Sequence, residues 1–193
     1  MTTSEPADRI PAGVVRKFRD GLVRDELDRT SPMFRVIVDQ AAMMARLRTP
    51  DGEVIEWWEA PNEAGGTFIY LRQLPADGGD EQGSTQGDSA EGRPPGVPPM
   101  LIVIDETLRR GRWFVAGHIF RPGAVAVRLE FEDGHSHEVA VQPNGYFLDL
   151  LPWPSEAQPW RFDAVALDGR GRAIERDADR HTFDDLPGTE EPS

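Results

Sequence analysis

Apolar residues recur along this chain at two spacings. Over residues 13–29, Val14, Val15, Phe18, Leu22 and Leu27 fall at roughly helical intervals with charges between them, which predicts an amphipathic helix packing one face on a domain. Beyond it the spacing shortens towards two. Residues 33–39 and 67–74 read as strands, and residues 43–49 turn back through Thr49-Pro50-Asp51-Gly52-Glu53. There Pro presets φ at the first turn position, and Gly accepts the left-handed conformation that closes a three-residue hairpin loop. That loop places Leu47 opposite Ile55, Ala45 opposite Trp57, and Arg46 opposite Glu56 as a favourable cross-strand charge pair. Trp57 and Trp58 are consecutive on a strand and must face opposite sides. Trp57 is expected beside Leu47 and Ile55, and Trp58 beside Met44 and Val54, with the N-terminal helix covering one of them.

Residues 75–99 break the pattern. They are rich in Gly, Pro, Ser, Gln and acids with almost nothing to bury, so they are expected to form a disordered linker or excursion. Seven short β-compatible stretches follow, over residues 100–105, 112–120, 124–131, 135–142, 146–151, 161–167 and 172–175. Short strands separated by turn signals predict a sandwich. Asn144-Gly145 reads as a two-residue hairpin with Val141 opposite Leu148 and Val139 opposite Leu150. Asp168-Gly169-Arg170-Gly171 reads as a turn with Val165 facing Ile174. The expected organisation is a flexible start (1–12), a helix with strands (13–74) packing with the C-terminal part, the linker (75–99), a β-sandwich (100–176) and an acidic flexible tail (177–193).

Within residues 117–171 the turn chemistry follows a recognisable order. It begins at Gly117 and continues through Arg121-Pro122-Gly123-Ala124 with Val125, Val127 and Leu129 alternating after it. Asp133-Gly134, Asn144-Gly145-Tyr146-Phe147 and a late strand, Phe162 to Leu167 before Asp168-Gly169, complete it. The stretch resembles bacterial immunoglobulin-like and carboxypeptidase-regulatory-like β-sandwich modules. The resemblance implies an antiparallel immunoglobulin-like sandwich; with the helical spacing over 13–29 and the composition of 75–99, the expected fold is mainly β, such a sandwich with one N-terminal amphipathic helix and a long disordered insertion. The resemblance also implies non-catalytic binding or spacer work.

Composition narrows the partners. A net charge of −13 and the absence of cysteine oppose nucleic-acid or anionic-membrane binding and exclude thiol catalysis, thiolate metal sites and disulfides. No run approaches the roughly 20 apolar residues of a membrane span, and the polar, acidic start does not read as a signal peptide. The chain therefore reads as cytoplasmic. Lys17 is its only lysine among 21 basic residues.

Candidate chemistry concentrates at three places. Within Glu130 to Glu138, a two-residue loop would gather Glu130, Glu132, His135 and His137 on one face as metal ligands. A three-residue Glu132-Asp133-Gly134 loop instead pairs Val127 with Val139 and Leu129 with His137, keeping the apolar face whole and sending the glutamates to solvent. The three-residue loop is the expected one, which leaves no metal set, no cofactor and no catalytic residue. The stiff loop holding Trp153 and Trp160, and Phe18 on the helix, are the expected contacts with a protein partner. The reading is a non-catalytic protein-binding or accessory module. A small hydrolase or metal-dependent enzyme with a site near His135 and His137 is the alternative.

Overall fold

Five connections between successive strands are the same turn. They begin at Thr49, Asn62, Phe131, Gln142 and Asp168. In each, the first residue's N–H donates to the carbonyl four residues on, and the glycine at the fourth position donates back to the first residue's carbonyl, at 2.8–3.1 Å. Those glycines, Gly52, Gly65, Gly134, Gly145 and Gly171, all have φ between 73° and 91°, the left-handed region where a Cβ is strained. Three-residue loops closed this way suit the right-handed twist of antiparallel strands. The sequence repeats this one device throughout.

The computed structural model describes residues 10–20, 31–88, 100–109, 111–151, 161–177 and 181–182. The chain divides into two compact units, Met1–Pro95 and Gly96–Ser193. It is mainly β, with antiparallel sheets and, among the described residues, one α-helix. Among the described residues no helix is long and apolar enough to cross a membrane.

In the first unit, helix α1 (Ala12–Asp20) precedes a four-stranded antiparallel sheet ordered β1 (Ala42–Arg48), β2 (Val54–Pro61), β3 (Thr67–Leu74) and β4 (Gln82–Asp88). The β1–β2 register is the predicted one: Leu47 opposite Ile55, Ala45 opposite Trp57 and Arg46 opposite Glu56. Val14 and Phe18 of α1 pack on Trp58, Ala60, Phe68 and Tyr70, so the helix covers Trp58 as expected. Residues 33–39 do not form the expected strand. Pro32 opens a 3-10 turn through Phe34, a second runs Val38–Gln40, and only Val36 bridges to the sheet, at Asn62. A proline that withholds an N–H and fixes φ favours the turn over a ladder.

Within residues 75–99, read as disordered, β4 pairs with β3 from Thr67 opposite Asp88 to Gln73 opposite Gln82. Backbone pairing to an existing sheet edge has overridden a composition that offers no apolar side chain. Residues 89–99 lie outside the described residues.

The polar end of the α1-facing surface is a chain of charges. Arg72 on β3 gives Nε and Nη2 to Oε2 of Glu81, at 2.9 and 2.7 Å, and Nη1 to Oε2 of Glu56 at 3.1 Å. Trp58 Nε1 donates to the same Glu56 oxygen at 2.9 Å, and Arg46 lies 3.5 Å from Oε1. Beside them, burial, reinforced by the Glu81 carboxylate, pushes the Tyr70 phenol up to about 12 from 10.0. A raised acid pKa favours the folded state below the unfolded value and loses that contribution as pH climbs through the folded value. Wild type is therefore expected to lose about 2–3 kcal/mol of stability between pH ~10 and ~12 that Tyr70→Phe does not lose. Urea titrations across that window check it, and parallel curves for the two proteins would contradict it.

The second unit is a sandwich. One sheet is ordered β5 (Met100–Glu106), β6 (Trp113–Ile119) and β9 (Tyr146–Leu150). The other contains β7 (Ala126–Phe131), β8 (Ser136–Ala140), β10 (Arg161–Leu167) and β11 (Ala173–Arg176) in the order β11-β10-β7-β8, with β12 (His181–Thr182) also on β10. Met100, Val115, Ile119, Phe147 and Leu151 from one side meet Val127, Leu129, Val139, Phe162, Ala164 and Ala166 from the other in a single core. Gly117 sits where a Cβ would strike the Phe147 ring and the Leu101 carbonyl, so its bareness lets the ring lie across β6. The opposite, solvent side of the β7–β10 sheet carries a ladder of charges. Arg128 pairs with Glu138 and Glu130, and Arg176 with Glu130 and Asp163.

Three details differ from the sequence reading. Asn144-Gly145 does not close a two-residue hairpin with Val141 opposite Leu148. Its turn hands the chain from β8 in one sheet to β9 in the other, where Leu148 pairs with Ala116. Val165 faces Arg176 and not Ile174: the Asp168–Arg172 closure is a three-residue loop, which moves the register by one, and a second shift falls between Ala166 and Leu167, as a β-bulge does. The acidic tail is not wholly outside the fold. Asp177 is buried and donates its N–H to Ala164, while His181 and Thr182 pair with Phe162 and Arg161.

Candidate functional site

The turn that places His135 also gives it a partner. Asp133 accepts the His135 backbone N–H through Oδ1 at 3.0 Å and meets ring Nδ1 through Oδ2 at 2.9 Å. The backbone hydrogen bond and then the ring contact hold the Asp133 carboxyl below its ordinary value. Both groups are exposed at a hairpin tip, so the contact caps a turn.

His137 faces the sandwich core opposite Leu129, as the three-residue loop requires. Its Nε2 lies 3.0 Å from Oδ2 of Asp149 on β9, so the pair ties an edge of one sheet to an edge of the other. Glu130 points to the solvent ladder. The two histidines thus have separate carboxylates. Among the described residues no group of three or more His, Asp or Glu converges to hold a metal ion.

Phe18, expected to meet a partner, is 1% exposed and lies edge-on to Tyr70 with ring centroids 6.2 Å apart. The amphipathic face that suggested docking is consumed by the domain's own sheet. Trp153 and Trp160 lie outside the described residues.

A different set of residues gathers at the end of the sandwich where β6 finishes and β9 begins. Strand β9 runs away from this end towards Leu151. The pairing of His118 with Tyr146 brings their rings into a parallel stack, 4.0 Å between centroids and 3° between planes. Phe120 stands edge-on to His118 at 4.3 Å.

Gly145 makes this approach possible. A Cβ there would meet the Ile119 carbonyl at 2.9 Å and the His118 ring at 3.0 Å. The stack borders a cleft of about 470 Å³ whose other walls include Arg121, Val125, Val141 and Asn144. Phe120 is 39% and Val125 48% exposed, both large apolar side chains at the surface. Arg121 reaches Glu175 at 3.1 Å across the same end.

The lining is aromatic and aliphatic with a polar rim, which suits recognition of an apolar side chain with its peptide groups. Sequence reasoning passed over this cleft. His118 and Tyr146 meet only through a pairing between distant strands, and the one local signal, Phe120 spaced two residues from His118, is indistinguishable from ordinary strand alternation.

No family model matches the chain, and no curated protein matches it.

Proposed function

We propose that the protein is a non-catalytic, cytoplasmic binding module that takes an unidentified protein partner at the end of its sandwich, in the cleft beside His118 and Phe120. The observation that carries this reading is the exposure of Phe120 and Val125 over the aromatic stack. Aromatic side chains give large contact area at little entropic loss, and loops at the end of a rigid sandwich are where such contacts are built. The resemblance to immunoglobulin-like modules, which serve as binding or spacer units, agrees with it.

A pull-down from a lysate, quantified by mass spectrometry, tests the assignment. Phe120→Ser with Val125→Ser is expected to lower recovery of the specific partner at least about tenfold, as removal of a hot spot does. Trp153→Ala with Trp160→Ala should leave it unchanged. Undiminished recovery by the folded Phe120/Val125 variant sinks the cleft assignment, and loss confined to the tryptophan variant moves the contact to the other loop.

A further inference from the structure

A strand at the end of a sheet offers unpaired main-chain groups to any other strand, and soluble proteins blunt such edges with charges, bulges, short length or a cover. Among the described residues the sheets end at β1 and β4, β8 and β11, and β5 and β9. All but β5 are blunted. Strand β1 carries Arg46 and Arg48 and a register shift between Met43 and Ala45. Strand β4 has no apolar side chain. Strands β8 and β9 are five residues long and joined by the His137–Asp149 contact, and β11 is four residues long with Glu175 and Arg176 in ion pairs.

Strand β5 has none of these devices over its first five residues, Met100-Leu101-Ile102-Val103-Ile104, which are all apolar. It pairs with β6 along its whole length without a register shift. Met100, Ile102 and Ile104 pack into the sandwich core, so by alternation Leu101 and Val103 take the other face. Leu101 to Ile104 all stay partly exposed. Antiparallel pairing to β6 alone turns the N–H and C=O of every second residue outward. This edge also matches itself. Two β5 strands paired antiparallel about a two-fold axis at Ile102 set Ile102 against Ile102, Leu101 against Val103 and Met100 against Ile104. Apolar side chains then meet apolar side chains on each face, and Asp105 and Glu106 of both copies fall outside the apolar pairing. Sliding the pair by two residues sets Leu101 against Asp105.

We propose that the β5 edge, Met100–Ile104, is a homodimer interface whose occupant is the same strand of a second copy of this chain, paired in the register centred on Ile102. The two copies join their three-stranded sheets into one across the two-fold axis, an isologous contact in which main-chain bonds supply affinity and the alternating apolar pairs fix the register. This surface is independent of the cleft beside Phe120, and its failure leaves that reading untouched.

Analytical ultracentrifugation of the full chain provides the test. Wild type is expected to sediment as a dimer and to associate more tightly as salt rises, since copies of charge −13 repel one another until screened. Leu101→Lys and Val103→Glu each set a charge against an apolar partner and are expected to weaken association at least about tenfold. An equimolar mixture of the two variants is expected to regain at least about tenfold, because the proposed register places the new ammonium opposite the new carboxylate. Amide exchange in the wild type gives a reading that does not depend on the variants' folding. The outward amides within residues 101–104 are expected to gain at least about tenfold protection between about 1 and 100 μM chain. A wild type monomeric at about 100 μM, exchange that ignores concentration, folded variants that associate as wild type does, or a mixture no tighter than either variant alone overturns the proposal.

Discussion

Phe147→Ala is expected to lower the unfolding free energy of the sandwich by about 3–5 kcal/mol, the range for emptying a fully buried aromatic site. Phe147 is 0% exposed and belongs to the core shared by both sheets. Its ring occupies the space that Gly117 leaves over β6, and no neighbouring side chain on that strand position can move in to fill a cavity. The backbone around it is fixed by pairing with Gly117. Urea unfolding followed by far-UV circular dichroism measures the change. A loss below about 1 kcal/mol would mean that the two sheets collapse onto the void, contrary to the packing described.

Breaking the charge chain in the first unit is the second large effect. Arg72→Met leaves Glu56, whose side chain is 6% exposed, without its closest cation. Removing one member of a buried pair costs about 3–5 kcal/mol, because the remaining charge stays desolvated. Glu81 is less buried and can turn to water; Glu56 cannot. Adding Glu56→Gln to Arg72→Met is therefore expected to restore at least about 1–2 kcal/mol, since the neutral amide still accepts from Trp58 Nε1 and no longer needs a counter-charge. The comparison is read from urea midpoints of the two variants. A double variant no more stable than the single one would show that charge burial is not the source of the loss.

What could be read from the sequence was local. Asp51-Gly52 and Asp133-Gly134 specify the same left-handed closure, and each fixed the alignment of the strands on either side: Ala45 with Trp57, Val127 with Val139. Asn144-Gly145 carries an equally clear turn signal, yet the strands it joins belong to different sheets. Turn residues fix where a chain reverses; they do not choose the partner, and β9 is claimed by β6 across distant sequence.

The same limit hid the cleft, whose stack exists only because His118 and Tyr146 are paired. It also hid β4, where side-chain composition gave the wrong answer because the bonds that form the strand are made by the main chain. The register of the histidine hairpin was legible, as the alternative loop would have put valines on both faces. For Phe18, the helical stripe announced a buried face but carried no information on whether the burying surface belonged to this chain or to another.

Lys17 lies half-buried on α1 with its ammonium 5.9 Å from the centre of the Tyr70 ring. Because it is the only lysine, any chemistry directed at lysine side chains has a single address in this protein, one residue from Phe18. Acylation there neutralises the cation that faces Tyr70 and thickens the seam between helix and sheet. The arginine-rich composition, unremarkable for binding, thus makes the seating of α1 the place where modification of a lysine ammonium reports on the fold.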